Sequence, residues 1–306
     1  MGNIRNSVLG GYNYLYNRFG EGIFNIGIID YTDDLIYRDR FPEIRWLQHG
    51  FRDRWFADPF ILSADNETVT LLVEAYIYTK RKGVIGKITA GRQPFTLLEY
   101  ETVLESDTHL SFPAIRRDGE HICVYPENCH SRNSYIYLYD PSAQKLTERR
   151  LLSPYPLVDA ALFEFRGENA MIATLSSDPH GTTCTVLLPD RENVFEPYQT
   201  IALKDNSSRG AGLPFTVGDK LIRPAQNCNG GYGVGIVFQE INKVGDTFTL
   251  TEVGRFDACD PKYDTGFHTF NKSGDIAIVD GYRLPPRFVK KTFAAIQGII
   301  NRISKK

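Results

Sequence analysis

Acids and bases recur in this sequence at matching points of short apolar runs. Asp58 opens the run Asp58-Pro-Phe-Ile-Leu, and Glu74 closes the run after it. His109 and Ser111 introduce a second run, with Glu127 closing its partner. Asp159 opens a third. Arg209 precedes a fourth, whose partner holds Arg223 and Gln226, and His268 opens a fifth, whose partner ends through Asp280 and Arg283. Carboxylates brought together in this way repel one another, so their pKa values separate. Chemically similar groups take acid and base roles by that route. The expected catalytic set is Asp58, Glu127 and Asp159. The expected substrate contacts are Trp55, Glu74, His109, Arg209, Arg223, Gln226, His268, Asp280 and Arg283, with Trp55 offering the aromatic face on which a sugar stacks. Each also has a plainer use. Asp58 can cap a turn before proline, Glu74 and Glu127 can pair across neighbouring elements, His109 and His268 can be ordinary hydrogen-bonded histidines, and Arg209 and Arg223 can neutralise the acids.

The elements that must position these residues repeat. Each unit is an apolar strand, a tight turn and a second apolar strand. The turns fall at Asp65-Asn66, Asp118-Gly119, Gly167-Glu168, Gly218-Asp219 and Ser273-Gly274. Such pairs accept positive φ and mark hairpins. A period of about 50 residues with room for four strands is the signature of a propeller blade, so five copies predict an all-β, five-bladed β-propeller. A two-sheet sandwich also suits short strands, but it does not call for the repeat. The innermost strands of a propeller line its channel, so the starts of first strands and the ends of second strands meet at one mouth. On that reading Asp58, Glu127 and Asp159 converge there, with Arg209, Arg223 and His268 on the opposite wall. The extra strand at Phe24–Ile29 is expected to close the last blade, giving a propeller over 1–286.

Composition narrows the partners. The chain has 35 basic and 37 acidic residues and 12% aromatics, which predicts a folded protein with no field for nucleic acid. Its five cysteines lack the spacing of a zinc site or disulfide framework, and no metal or cofactor is implied. Asn3, Arg5, Asn13, Asn17 and Arg18 interrupt the N-terminus, so a cytoplasmic setting is expected. Residues 287–306 have Phe288, Val289, Phe293, Ile296, Ile300 and Ile303 at helical spacing, six basic residues and no acid. That pattern predicts a basic amphipathic C-terminal helix able to rest on an anionic membrane surface. The stretch Asn229-Gly-Gly-Tyr-Gly-Val-Gly235 lacks the Lys-Ser/Thr of a phosphate loop and reads as a loop beside the channel.

The string Trp55-Phe-Ala-Asp-Pro-Phe followed by Leu72-Val-Glu-Ala resembles the first blade of the glycoside hydrolase family 43-like propellers. His109-Leu-Ser-Phe-Pro, Tyr125-Pro-Glu-Asn, Val158-Asp-Ala-Ala-Leu-Phe, Arg209-Gly-Ala-Gly, Arg223-Pro-Ala-Gln and His268-Thr-Phe resemble one branch more narrowly. That branch is the N-terminal propeller of glucosamine inositolphosphorylceramide transferases and its bacterial relatives. The resemblance spans roughly Phe24 to Arg283. It implies a carbohydrate-active enzyme with a sugar donor and a glycan or glycolipid acceptor. It makes Asp58 the first-blade Asp, base or nucleophile in that superfamily, and Asp159 the third-blade Asp that tunes the acid and orients the sugar. The fourth-blade Glu expected as general acid is absent, and Arg209-Gly-Ala-Gly stands there. Simple hydrolysis wants two carboxyl groups flanking the bond, with Glu127 the available substitute. A phosphate leaving group wants positive charge instead, which favours a glycosyltransferase using a phosphate-bearing donor. A glycoside hydrolase and a non-catalytic glycan-binding propeller are the alternatives.

Overall fold

A computed structural model of the chain describes residues 22–38, 42–128, 130–177, 181–258 and 260–285, together with positions 292 and 296. Strands β1 (Ile23–Asp30) and β2 (Arg45–Trp46) come first. Blade I follows with β3 (Arg54–Ala64), β4 (Thr68–Ile77), β5 (Lys82–Arg92) and β6 (Phe95–Leu104). Blade II holds β7 (Ser111–Asp118), β8 (His121–Glu127), β9 (Ser134–Asp140) and β10 (Lys145–Ser153). Blade III holds β11 (Leu157–Phe165), β12 (Glu168–Leu175), β13 (Thr183–Pro189) and β14 (Phe195–Ala202). Blade IV holds β15 (Phe215–Val217), β16 (Lys220–Asn227), β17 (Gly235–Val244) and β18 (Thr247–Asp257). Blade V joins β19 (Phe270–Ser273) and β20 (Ile276–Arg283) to the first two strands, in the order β19-β20-β1-β2. The protein is an all-β, five-bladed propeller, and among the described residues no helix reaches seven residues. Of the helix expected over 287–306 only positions 292 and 296 are described, both helical, and the rest lies outside the described residues.

The hairpin turns explain why the strands reverse where they do. Gly119, Gly167, Gly218 and Gly274 take positive φ at the first turn of blades II to V. Blade I has no glycine there. Asp65 Oδ1 instead accepts the N–H groups of Glu67 and Thr68 at 2.8 and 2.7 Å. These are the two ways a tight turn is satisfied, by a residue that tolerates the angle or by a side chain that mimics the backbone.

The ring closes through β1, which pairs antiparallel with β20 from Ile23↔Arg283 to Asp30↔Ile276. Blade V therefore takes its inner strands from late in the chain and its outer strands from early in it. Hydrophobic packing lies between blades rather than within them. Ile26 and Ile28 of blade V pack with Phe56, Val69 and Leu71 of blade I. Phe60 and Leu72 of blade I share a cluster with Phe112 and Val124 of blade II and Met171 of blade III. Blades III and IV meet through Phe163, Ile172, Ile241 and Phe248. Alternation along each strand gives every blade two apolar faces, one for each neighbour, so the ring is held by wedges of side chains.

One local device repeats where the inner strands begin. β3, β7 and β11 each carry a register shift against their partners, at Ala57/Phe60, Ser111/Ala114 and Val158/Ala161. Within these bulges Asp58, Phe112 and Asp159 have φ of 48°, 43° and 46°. Left-handed φ at a residue with a side chain is costly and persists only where neighbours enforce it. Here the enforcing groups are carboxylates of the preceding blade. Asp280 Oδ2 accepts from the Asp58 N–H, Asp58 Oδ2 from the Phe112 N–H, and Glu127 Oε2 from the Asp159 N–H, each at 3.0 Å.

Candidate site at the mouth of the channel

The charged residues at the starts of the inner strands divide into two groups. The first joins blades V and I. Asp280, fully buried, accepts from the backbone N–H groups of His268 and Thr269, both at 3.0 Å, and from the Thr269 hydroxyl at 3.1 Å. His268 Nδ1 lies 2.8 Å from Asp280 Oδ2 and 3.6 Å from Asp58 Oδ1. The Thr269 hydroxyl also lies 3.0 Å from Asp58 Oδ1, bridging the two acids. Burial alone would raise the Asp280 pKa, but His268 and these hydrogen bonds outweigh it and hold the group below the usual carboxylate range. Burial has the upper hand at Asp58, pushing its pKa up to about 7 against the pull of His268. Glu74, Asp280 and Asp159 push it the same way. His268 resists its own burial because Asp280 and Asp58 favour the cation, and its pKa rises to about 9. At neutral pH the group holds an ionised Asp280, a charged His268 and an Asp58 near its titration midpoint. One carboxylate oxygen each of Asp58 and Asp280 and one ring nitrogen of His268 lie within 4.8 Å of one another. Asp280 already accepts five hydrogen-bonding or ion-pairing groups, so the cluster fits a hydrogen-bonded network better than a cation site.

The second group joins blades II, III and IV. Arg209 Nε donates to Asp159 Oδ2 at 2.6 Å, and Gln226 Nε2 donates to the same oxygen at 2.9 Å. Glu127 Oε2 stands 3.9 Å from Arg209 Nη2. Burial and the adjacent Asp159 raise the Glu127 pKa well above the usual range, with Arg209 opposing only in part. A buried Glu127 whose carboxyl holds its proton more tightly than usual, beside an Arg209–Asp159 ion pair, is an arrangement suited to proton transfer. Gly210 makes the approach possible, since a Cβ there would lie 2.5 Å from the Asp159 carbonyl oxygen. Gly210→Ala is therefore expected to displace the bulge and lower stability by about 1–3 kcal/mol. Thermal unfolding checks this, and a midpoint equal to wild type would contradict it.

An aromatic belt borders the first group. Phe24 of β1 stacks on His268 at 5.0 Å and Tyr282 at 4.9 Å, and packs against Trp55 at 4.8 Å. Trp55 lies parallel to Tyr76 at 4.8 Å, and Tyr76 leads on to His109 at 6.2 Å. His109 Nδ1 accepts the Gly83 N–H at 3.0 Å, which turns Nε2 toward Glu74 Oε1, 3.2 Å away. Phe60 and Phe112 meet edge to face at 4.8 Å in the packed core between blades I and II.

The arrangement differs from the sequence expectation in three respects. Arg209 does not face the acids from an opposite wall; it sits between Asp159 and Glu127. Arg223 is fully buried, with its guanidinium on the Ser207 and Ser208 carbonyls and Gln239 Oε1, so it braces blade IV and does not reach the mouth. Arg283 ends β20 exposed to solvent, its backbone paired with Ile23, and joins neither group. The structure adds Thr269, whose hydroxyl links Asp58 to Asp280, and Tyr232. The Tyr232 ring lies 5.0 Å from the Arg209 guanidinium and 5.2 Å from the His268 ring. Tyr232 had a visible signal, a single aromatic within a glycine-rich stretch; Thr269 had none.

Comparisons with known proteins agree on the architecture. The model of the family described as "Glucosamine inositolphosphorylceramide transferase 1, N-terminal" matches residues 45–257. A protein of Oryza sativa subsp. indica named glucosamine inositolphosphorylceramide transferase 1 is 26% identical over 204 residues, which is 64% of this chain and 27% of the relative. The chain thus spans about a quarter of the length of the curated relatives it matches. A glycoside hydrolase family 43 beta-1,3-galactosidase superposes with a TM-score of 0.52 at 10% identity, over 67% of this chain and 47% of that one. A second beta-1,3-galactosidase of that family, solved with galactodeoxynojirimycin, gives 0.50 at 7% identity, over 67% and 78%. At such identities the likeness to these structures shows the fold alone.

Proposed function

This chain belongs to the glucosamine inositolphosphorylceramide transferase 1 N-terminal family, and from that premise we propose that it transfers a sugar from a phosphate-bearing donor to a glycan or glycolipid acceptor. The observation that carries the proposal is the setting of Arg209. Its Nε is anchored on Asp159, while its terminal nitrogens make no hydrogen bond among the described residues. An anchored guanidinium with open N–H groups suits a phosphate oxygen on which charge develops as the sugar leaves. Asp58, near its titration midpoint at neutral pH, is suited to take the proton of the acceptor hydroxyl. The acceptor oxygen bonds to the anomeric carbon, the carbon–oxygen bond to the phosphate breaks, and that electron pair leaves on the phosphate beside Arg209. Asp159 orients the guanidinium, and Glu127, which accepts the Asp159 N–H, fixes the backbone beside it.

A second reading is hydrolysis, favoured by two buried carboxyl groups, Asp58 and Glu127, whose pKa values are both raised. A third is glycan binding without turnover, favoured by the share of the relatives that this chain covers. A panel of nucleotide sugars and aryl glycosides, screened by thermal shift and then turnover, separates the three. The proposal expects stabilisation by a nucleotide sugar and transfer to an added acceptor. Release of free sugar from aryl glycosides alone would replace it with hydrolysis, and binding with no turnover would replace it with recognition.

A further inference from the structure

Thr269, the fully buried residue before β19, has one hydroxyl proton and two acids within its reach. Its Oγ1 lies 3.0 Å from Asp58 Oδ1, 3.1 Å from Asp280 Oδ2 and 3.1 Å from His268 Nδ1. The two acids are not equally supplied. Without the hydroxyl Asp280 still holds four donors, the N–H groups of Asp58, His268 and Thr269 and the His268 ring at Nδ1. Asp58 Oδ2 accepts the Phe112 N–H, but its Oδ1 has no hydrogen bond besides that to Thr269 among the described residues. An ionised Asp58 therefore takes the hydroxyl proton, since an unpaired acceptor is costly in so buried a site. A protonated Asp58 reverses the bond. Oδ2 stays an acceptor for Phe112, so the new proton sits on Oδ1 and is donated to Thr269 Oγ1, whose own proton turns to Asp280.

We propose that Thr269 is a positioning residue for Asp58: its hydroxyl donates to the ionised carboxylate before a proton arrives and rotates toward Asp280 once it has. The proposal rests on the reading of Asp58 as the base. In that step the O–H bond of the acceptor breaks and a new O–H bond forms on Asp58. The Thr269 proton then changes partner by rotation about Cβ–Oγ1, and no heavy atom has to move. A polar setting that needs no rearrangement as charge shifts is what favours the transfer. The charged and titratable groups facing Asp58 are His268 and Asp280 of blade V, Glu74 on β4, His109 ahead of β7, Asp159 on β11 and the Tyr232 phenol. His268 Nδ1, at 3.6 Å, is too far to hydrogen-bond Asp58 Oδ1, which leaves the Thr269 hydroxyl as its donor. Removing that hydroxyl removes a bond made to the ionised form, so Asp58 should keep its proton to higher pH.

The Phe112 amide reports on Asp58, because its N–H donates to Asp58 Oδ2. The test is amide NMR of the full chain from pH 4 to 9, reading the midpoint of the Phe112 shift. Asp58→Asn should abolish that transition, which assigns it to Asp58 rather than to His109. Thr269→Val keeps the shape and lacks the hydroxyl. It should raise the midpoint by about one pH unit, the worth of one hydrogen bond to a charged group. Thr269→Ser, which restores the hydroxyl, should return the midpoint to its wild-type position. Thr269→Ala takes the place of the valine variant if that one does not fold. In nucleotide-sugar turnover, the acid limb of the pH profile should move with the Phe112 midpoint, and the rate of the valine variant should recover above it. An unmoved midpoint in the variants without the hydroxyl, or an equal shift in Thr269→Ser, would overturn the proposal. A moved midpoint with an unmoved limb would uphold the hold of Thr269 on the Asp58 proton and overturn the reading of Asp58 as the base.

Discussion

Asp58→Asn is expected to cost on the order of 10²–10⁴-fold in turnover, the usual worth of a positioned acid or base, while leaving the protein folded. Asparagine keeps the shape and can still accept the Phe112 N–H, and its amide can donate to the Thr269 hydroxyl, so the blade I–II link survives. What disappears is the group that titrates near 7. Stability carries a second signature, whose sign follows from proton uptake. A carboxyl at 3.8 in the unfolded chain and about 7 in the folded one keeps its proton only in the folded state across that interval. Asp58 therefore makes stability fall as pH climbs from 3.8 to about 7. His268, lifted from 6.5 to about 9, contributes stability that is complete below 6.5 and is lost as pH rises through 9. Thermal midpoints measured from pH 4 to 9 should decline in the wild type. The first part of that decline should flatten in Asp58→Asn, leaving the variant relatively more stable above pH 7. Full turnover in the variant would remove Asp58 from the chemistry, and an unchanged pH profile would remove it from the linkage.

Arg209→Ala is expected to have the largest effect on stability. It leaves Asp159 and Glu127 facing each other in a buried setting without their cation. Breaking a buried pair by deleting one partner costs about 3–5 kcal/mol, roughly 10 °C in a chain of this size. Donor binding should be lost with it, far more for UDP-linked sugars than for neutral glycosides. Pairing the change with Glu127→Gln gives a sharper reading. The amide oxygen can still accept the Asp159 N–H, and one of the stranded acids is gone, so the double variant should recover part of the lost midpoint. It should recover none of the donor affinity. Simple additivity of the two changes in stability would mean that Arg209 and Glu127 are not coupled.

The fold was legible because its punctuation repeats. The turns at 65, 118, 167, 218 and 273 each require a positive φ or an Asx cap, and their even spacing admits few architectures. The site was legible as a set of acids at strand starts, but not in its division into two groups. The bulges at Asp58, Phe112 and Asp159 alter the register locally, and a left-handed residue inside a strand is not announced by composition. Arg223 is instructive because parity could have excluded it. It lies three residues from Gln226 on β16, so the two point to opposite faces, and only Gln226 reaches Asp159. The same holds for Asp280 and Arg283 on β20, one fully buried and the other exposed. Tyr232 escaped notice as a contact because loops carry function without periodicity.

The closure of blade V also sets a schedule. A chain emerges from the ribosome with its earlier residues first and begins to fold as it does so. Asp58 is made early, but the hydroxyl and acid that hold it, Thr269 and Asp280, are made more than two hundred residues later. Until then β1 has no β20 to pair with, Phe24 has no His268 to cover, and the bulge at Asp58 lacks the carboxylate that enforces it. A nascent chain, or a fragment clipped before blade V, has the residues of the Asp159–Arg209 group but lacks the partners of Asp58. Ring closure thus makes the Asp58 group conditional on blade V, and until β20 is made one edge of β1 stays unpaired.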